Sequence, residues 1–343
     1  MEELQTGVLL VNLGTPDSTR TSDVRRYLRE FLSDPHVLSM PAPLRRMLLE
    51  IVILPTRPRR SAKAYRKIWR KEGSPLLVNS RALRDALEKE LGPTYVVELA
   101  MRYGRPSIRG ALHRLCAADV ARVLVLPLFP QYSTAATLSA IEKVRQEVEA
   151  LPHLAPIEIL GPFYSDPRFI DAWSAVAGPE IQGFEPDHVL FSYHGLPESQ
   201  VRAVDRSGGQ HCLAREDCCC SLVDANRDCY RAQCFATSLS LVRALDLDPG
   251  ITSTSFQSRL GPASWIRPYT DVVLQELAAK GCQRVAVLCP GFVADCLETL
   301  EEIAIRAFAQ WQSLGGEALR LVPSLNAHPV WVDGLARMLR QHA

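Results

Sequence analysis

Apolar residues in this chain fall into short unbroken runs, separated by stretches where they recur every three or four positions. Runs at 7–12, 95–100, 122–128 and 157–160 read as strands buried on both faces, with helical periodicity between them. The first helix shows the pattern: Ser22 or Asp23 caps it, and Val24, Tyr27, Leu28, Phe31 and Leu32 share one face. Further helices are expected at 80–91, after a Ser107 cap, and over 136–150. The pattern then restarts, and the segments 188–193, 251–256, 284–289 and 318–322 read as four more strands, with helices between. Residues 8–16 lie over residues 189–197 without a gap, which sets Leu13-Gly14-Thr15-Pro16 against His194-Gly195-Leu196-Pro197. Residues 122–127 resemble 284–289 in the same order. Strands alternating with helices imply parallel sheets with right-handed crossovers, so the chain reads as two similar α/β halves. A ligand is expected in the cleft between them.

One segment breaks the pattern. Met40, Leu44, Met47, Leu48, Leu49, Ile51, Val52, Ile53 and Leu54 form an apolar block within residues 36–72. Eight cations follow (Arg57, Arg59, Arg60, Lys63, Arg66, Lys67, Arg70 and Lys71), with no acid among them and Tyr65, Ile68 and Trp69 interleaved. That composition suits an anionic membrane surface. It equally suits cations near the acidic groups of a ligand, or a solvated basic helix over the core.

Composition narrows the classes. With 343 residues, 47% hydrophobic, 22% charged and a net charge of +1, the chain fits a two-domain globular protein with no overall field for nucleic acid. No basic-then-apolar leader precedes the first strand, and no apolar run is long enough to span a bilayer, so a cytoplasmic location is expected.

The candidate chemistry sits at strand ends, where open α/β sheets bind ligands. His194 follows the run at 188–193 and precedes a Gly/Pro turn. After the run at 284–289 come Asp295, Glu298 and Glu302, one face of a helix at α-helical spacing, with Glu301 pointing away. A ladder of carboxylates needs cations or protons, and a histidine opposite it would bind a divalent metal or move protons. Arg102 and Tyr103 close the second strand and look like substrate contacts, arginine suiting a carboxylate. Six of the ten cysteines fall between Cys212 and Cys234. In a reducing compartment such a cluster points to metal, as a 2Fe–2S cluster or, second, as zinc. The six are Cys212, Cys218, Cys219, Cys220, Cys229 and Cys234, and spacing alone leaves the set of four open.

These residues together resemble the ferrochelatases, which insert ferrous iron into a porphyrin. The resemblance covers nearly the whole chain. It rests on residues 10–16, 65–75, Arg102-Tyr103, 129–133, 191–197, 290–302 and 325–329. It implies two Rossmann-like domains, each a four-stranded parallel sheet flanked by helices, with the active-site cleft between them. The expected boundaries are 1–162 with a membrane or porphyrin lip at 36–72, 163–323 with the cysteine-rich segment at 205–235, and a C-terminal helix at 324–343 packing back on the first half.

The resemblance places the active-site histidine on His194 and the facing glutamates on Glu298 and Glu302. His194 and Glu298 would act on the substrate iron and the pyrrole protons, with Glu302 and Asp295 leading away. Whether His194 accepts protons or donates iron is left open. On this reading imidazole and acids are borne by separate lobes and close on opposite sides of a flat ring. Leu13, Trp69, Ser74, Arg102, Tyr103, Tyr132 and Phe292 would hold the porphyrin. Cys212, Cys219, Cys229 and Cys234 are the expected 2Fe–2S ligands, set internally as in a bacterial subset of the family.

Three departures from the family pattern matter. Cys296 stands where members often carry histidine. The cysteines are not in a C-terminal extension. Leu13 replaces the tyrosine typical of the coproporphyrin branch, which favours protoporphyrin IX. The expected partners are protoporphyrin IX, Fe²⁺, an anionic membrane surface at the inner face of the cytoplasmic membrane, and haem-pathway enzymes or haem acceptors, without nucleic acid. The alternatives are a coproporphyrin III ferrochelatase and a non-enzymatic, two-lobed haem- or porphyrin-binding protein.

Overall fold

Each of the eight segments expected as strands becomes one in the computed structural model, which describes residues 5–259, 261 and 263–342. They are β1 Thr6–Thr15, β2 Tyr95–Gly104, β3 Arg122–Pro127, β4 Ile157–Ile159, β5 His188–His194, β6 Thr252–Gln257, β7 Arg284–Leu288 and β8 Ala318–Leu321. Continuous apolar runs make central strands here because helices cover both faces of each sheet. Val8, Leu9, Leu10 and Val11 have no exposed surface, nor do Val123, Val125, Val189 and Leu190.

Two four-stranded sheets form, ordered β2-β1-β3-β4 and β6-β5-β7-β8, and every pairing within them is parallel. The two orders are the same order, so the repeat in the sequence is a repeat in the topology. In each sheet the chain adds a strand on one side of its first strand and then crosses to the other, which creates a switch point between β1 and β3 and another between β5 and β7.

β1 runs further than its apolar run, through Gly14 and Thr15, because β2 keeps pairing with it as far as Tyr103 and Gly104. That pairing explains the first glycine of the repeat. Gly14 has φ +122°, and a Cβ there would stand 1.9 Å from the Tyr103 carbonyl oxygen. Gly195, its counterpart, would place a Cβ 2.8 Å from the Gln257 carbonyl oxygen. The shared Gly is thus a backbone requirement, met by the residue with no side chain.

The chain divides into two compact units. One holds residues 5–129, 134–162 and 332–342 of those described; the other holds 130–133 and 163–331. The first contains β1 to β4 with a core of Leu9, Val11, Val123 and Val125 packed on Ile108 and Leu112. The second contains β5 to β8, with Leu190, Val285 and Val287 packed on Leu274 and Trp311.

Candidate active site

His194 is the last residue of β5, and the helix carrying Glu298 follows β7, so the two flank the switch point of the second sheet. Imidazole and carboxylates are therefore on one unit, not on separate lobes as expected from the sequence. The His194 Nδ1 lies 2.6 Å from the Gly195 carbonyl oxygen. A carbonyl only accepts, so in the neutral ring Nδ1 carries the proton and Nε2 keeps its lone pair. Trp265 and Phe292 pack about the ring, each with its centroid 6.5 Å away.

The glutamates stand on a π-helix, Glu298–Ala307, where the sequence predicted an α-helix. At its end the Phe308 N–H bonds the Ile303 carbonyl, five residues back. The wider turn keeps residues four apart on one face, so Glu298 and Glu302 remain companions. Glu301 turns away, is buried, and pairs with Arg306 at 2.8 Å, five residues on. Asp295 is not on the helix. Its carboxylate accepts from Thr299 Oγ1 at 3.0 Å, Asn326 Nδ2 at 2.8 Å and the Ser324 N–H at 3.3 Å. With both oxygens so engaged, Asp295 anchors the loop at 324–326 to the helix start instead of extending the ladder.

Glu302 accepts from the Ser258 N–H at 2.9 Å and the Ser258 hydroxyl at 2.5 Å, with Arg306 at 3.6 Å. The Glu298 carboxylate is met by the Cys296 thiol, whose pKa is pushed up by burial and by that carboxylate. Sequence reasoning missed Gln257, Ser258 and Trp265. The signal for the first two was their place at the carboxyl end of β6, directly after Phe256.

Three of the expected porphyrin contacts belong to the first unit's own packing. Tyr103 has no exposed surface, and its hydroxyl donates to Asp34 at 2.8 Å and lies 3.1 Å from Ser139 Oγ. Arg102 pairs with Asp34, bonds Ser139 Oγ at 2.7 Å, and lies over the Tyr103 ring. Burial opposes the Asp34 charge, but bonds from Ser139, the His36 N–H and Tyr103, with the Arg102 charge, outweigh it and hold that carboxyl below the usual range. Ser74 is buried and caps the helix Pro75–Leu91, accepting the Leu77 N–H at 3.3 Å. Leu13 and Trp69 remain half-exposed on the first unit, and Tyr132 and Phe292 on the second.

In the cysteine segment the thiols brought together differ from the expected set. Cys218 and Cys219 Sγ are 3.6 Å apart, and Cys229 is near enough to both Cys212 and Cys219 to influence their thiols. Arg231 Nη1 donates to Cys219 Sγ at 3.0 Å. Cys234 lies on the helix Tyr230–Ala244, fully buried and bonded to Tyr230, while Cys220 is exposed. Two polar residues shape the loop. Asp205 accepts from the His211 and Cys212 N–H groups at 3.0 and 2.8 Å, and Asn226 Nδ2 donates to the Cys218 and Ser221 carbonyls at 2.7 and 2.9 Å. Burial pushes the Cys212 thiol up to about 11. Among the described residues, no group of three or more His, Cys, Asp or Glu side chains is arranged to hold a metal ion.

A family model described as Ferrochelatase matches residues 5–343. Ferrochelatase of Coxiella burnetii (strain Dugway 5J108-111) is 50% identical over 336 residues, covering 98% of this chain and 93% of the relative. Ferrochelatase of Azotobacter vinelandii is 49% identical over 337 residues, covering 97% and 98%. Among solved structures, SirB from Bacillus subtilis with Fe3+ shares the fold, at a TM-score of 0.54 and 12% identity, covering 99% of this chain and 96% of that one.

Proposed function

The chain belongs to the ferrochelatase family and inserts iron into a porphyrin to make haem; we propose that its porphyrin is protoporphyrin IX, that His194 takes the pyrrole protons, and that Glu298 receives the ferrous iron. The observation that carries this reading is the pair of half-exposed groups flanking one switch point: an imidazole with a free Nε2 lone pair, and a carboxylate without the N–H and O–H donors that hold Glu302. Two pyrrole protons must leave as the metal enters. A base with its Nδ1 proton fixed on a carbonyl accepts a proton at Nε2 without turning its ring. Glu302, anchored by Ser258, continues the acidic path. Leu13 occupies in the first repeat the position of His194 in the second, and its hydrocarbon side chain offers iron no axial donor, which supports protoporphyrin over coproporphyrin.

Leu44, Met47, Ile51 and Val52 are each more than half exposed, and Arg46, Arg59, Arg60, Lys63 and Arg66 are exposed on the same stretch. Apolar side chains beside exposed cations support docking on an anionic lipid surface, where an oily porphyrin is stored. No described helix is long and apolar enough to cross a membrane. The proposed setting is the cytoplasmic face of that membrane, with haem passed to an acceptor protein.

Although among the described residues the side chains are not arranged about a metal, the donor chemistry supports a 2Fe–2S cluster: four buried thiols lie in one short segment, with the Arg231 guanidinium on Cys219 to offset negative charge. On this reading Cys212, Cys218, Cys219 and Cys229 hold it, Cys218 taking the place expected for Cys234. Such a cluster supplies one-electron chemistry, which insertion of already ferrous iron does not use, so its role is to brace the second unit.

The deciding experiment is anaerobic incubation with Fe²⁺ and either protoporphyrin IX or coproporphyrin III, following the Soret and visible bands. Haem formation from protoporphyrin at the higher kcat/KM is expected, and a preference for coproporphyrin overturns the substrate assignment.

A further inference from the structure

We infer that Gln257 is a positioning residue for metal insertion, its single amide fixing the glutamate helix against the strand that carries His194; the inference rests on the roles given above to His194 and Glu298. Gln257 ends β6, is 4% exposed, and is the Cα partner of His194 in the parallel pair. Its backbone carbonyl accepts the Gly195 N–H at 2.8 Å, just beyond the imidazole. Its side-chain Oε1 accepts the Ser192 hydroxyl of β5 at 2.7 Å, with the Cys289 thiol beyond the end of β7 at 3.9 Å. Its Nε2 donates to the Glu298 carbonyl at 2.8 Å and approaches the Glu302 carboxylate at 3.4 Å. One buried group thus reaches the histidine strand and both glutamates of the helix.

The chemistry of the amide is what the position uses. A primary amide accepts and donates at once. A leucine would leave the buried Ser192 hydroxyl and Glu298 carbonyl without these partners. A glutamate would keep the acceptor and lose both donors, setting a carboxylate against a carbonyl and against Glu302. The strain falls on the position of Glu298 relative to His194, and misplacement by about 1 Å of a reacting group costs roughly 100-fold in rate.

The test compares Gln257→Leu, Gln257→Glu and His194→Ala by iron-insertion kinetics, fluorescence titration with metal-free porphyrin, and thermal unfolding. Gln257→Leu should lose 10- to 100-fold in kcat while porphyrin Kd changes little, an expected magnitude that follows from misplacement, with a modest fall in Tm from the buried groups left unpaired. Gln257→Glu should recover relative to the parent as pH falls, because a protonated carboxyl regains one donor. The charged and titratable groups about it are Glu298, Glu302 with its partner Arg306, Cys289 and His194, and the parent measured at each pH accounts for them. Wild-type kcat in Gln257→Leu overturns the inference. So does a loss shared equally by kcat, porphyrin affinity and Tm, which marks a general packing role. If His194→Ala keeps its turnover, the underlying site assignment has failed; if that variant is inactive while Gln257→Leu is normal, only the positioning role has.

Discussion

Glu298 and Glu302 share one face of a π-helix and are held by different chemistry. Glu302 is tied to Ser258 through a backbone N–H at 2.9 Å and a hydroxyl at 2.5 Å. Glu298 has the Cys296 thiol beside its carboxylate. A thiol is a weak donor. The first carboxylate is therefore fixed as part of the scaffold, and the second remains competent to exchange its weak partner for a cation.

This difference sets the first prediction. Glu298→Gln should lower kcat by two orders of magnitude or more with Tm nearly unchanged, as for a group acting on charge in the transition state. Glu302→Gln should lower kcat by about tenfold and lower Tm as well, since a partly buried bonding pattern built on a carboxylate is broken. Steady-state kinetics with thermal unfolding on both variants separates the two roles. Equal losses would contradict the division of labour.

His194→Ala removes the free Nε2. General-base catalysis contributes about 10²–10⁴-fold, and insertion should fall by at least that much while porphyrin binding stays within a few-fold. Turnover near normal in this variant would refute the base assignment.

The strands and the repeat were legible in the sequence because central strands of a covered sheet must be apolar on both faces, as Val8 to Val11 and Val189 to Phe191 are. The π-helix was not, since ten residues cannot distinguish four-residue from five-residue bonding by periodicity. Arg102 and Tyr103 looked like ligand contacts because they end a strand. In the structure both bond Asp34, 68 and 69 residues away along the chain, and no local pattern reveals a distant carboxylate. The resemblance placed Cys234 among the cluster ligands, whereas in the structure a helix begins at Tyr230 and carries it into the core.

The thiol centre gives a third prediction. Anaerobically purified protein should show the absorption of a 2Fe–2S cluster and, once reduced, its EPR signal. Cys212→Ser, Cys218→Ser, Cys219→Ser or Cys229→Ser should each abolish them, and Cys234→Ser should not. A colourless preparation with stoichiometric zinc would exclude the cluster, and loss of signal in Cys234→Ser with its retention in Cys218→Ser would restore the set implied by the family resemblance.

Lipid docking is tested on Ile51 and Val52, which are 68% and 59% exposed. Ile51→Glu with Val52→Glu should weaken binding to phosphatidylserine-containing vesicles at least tenfold, given that each apolar side chain and each repelled charge contributes on the order of 1 kcal/mol or more. Binding should also weaken with salt. Indifference to lipid charge would count against the surface.

The last prediction concerns stability. His188 opens β5, is buried, and lies 2.7 Å from Ser253 Oγ. Burial, with a smaller push from Lys280, lowers its pKa from 6.5 to about 4. The folded chain thus holds this ring neutral where the unfolded chain protonates it. Unfolding takes up a proton between these values, so the contribution is full above pH 6.5 and is lost as pH falls toward 4. Its size is on the order of 2 kcal/mol. His188→Gln, which can still bond Ser253, removes the titration. Thermal unfolding at pH 7 and pH 5 should therefore show a larger drop in Tm for the parent than for the variant. Equal drops in the two proteins would mean that the buried ring does not couple folding to pH.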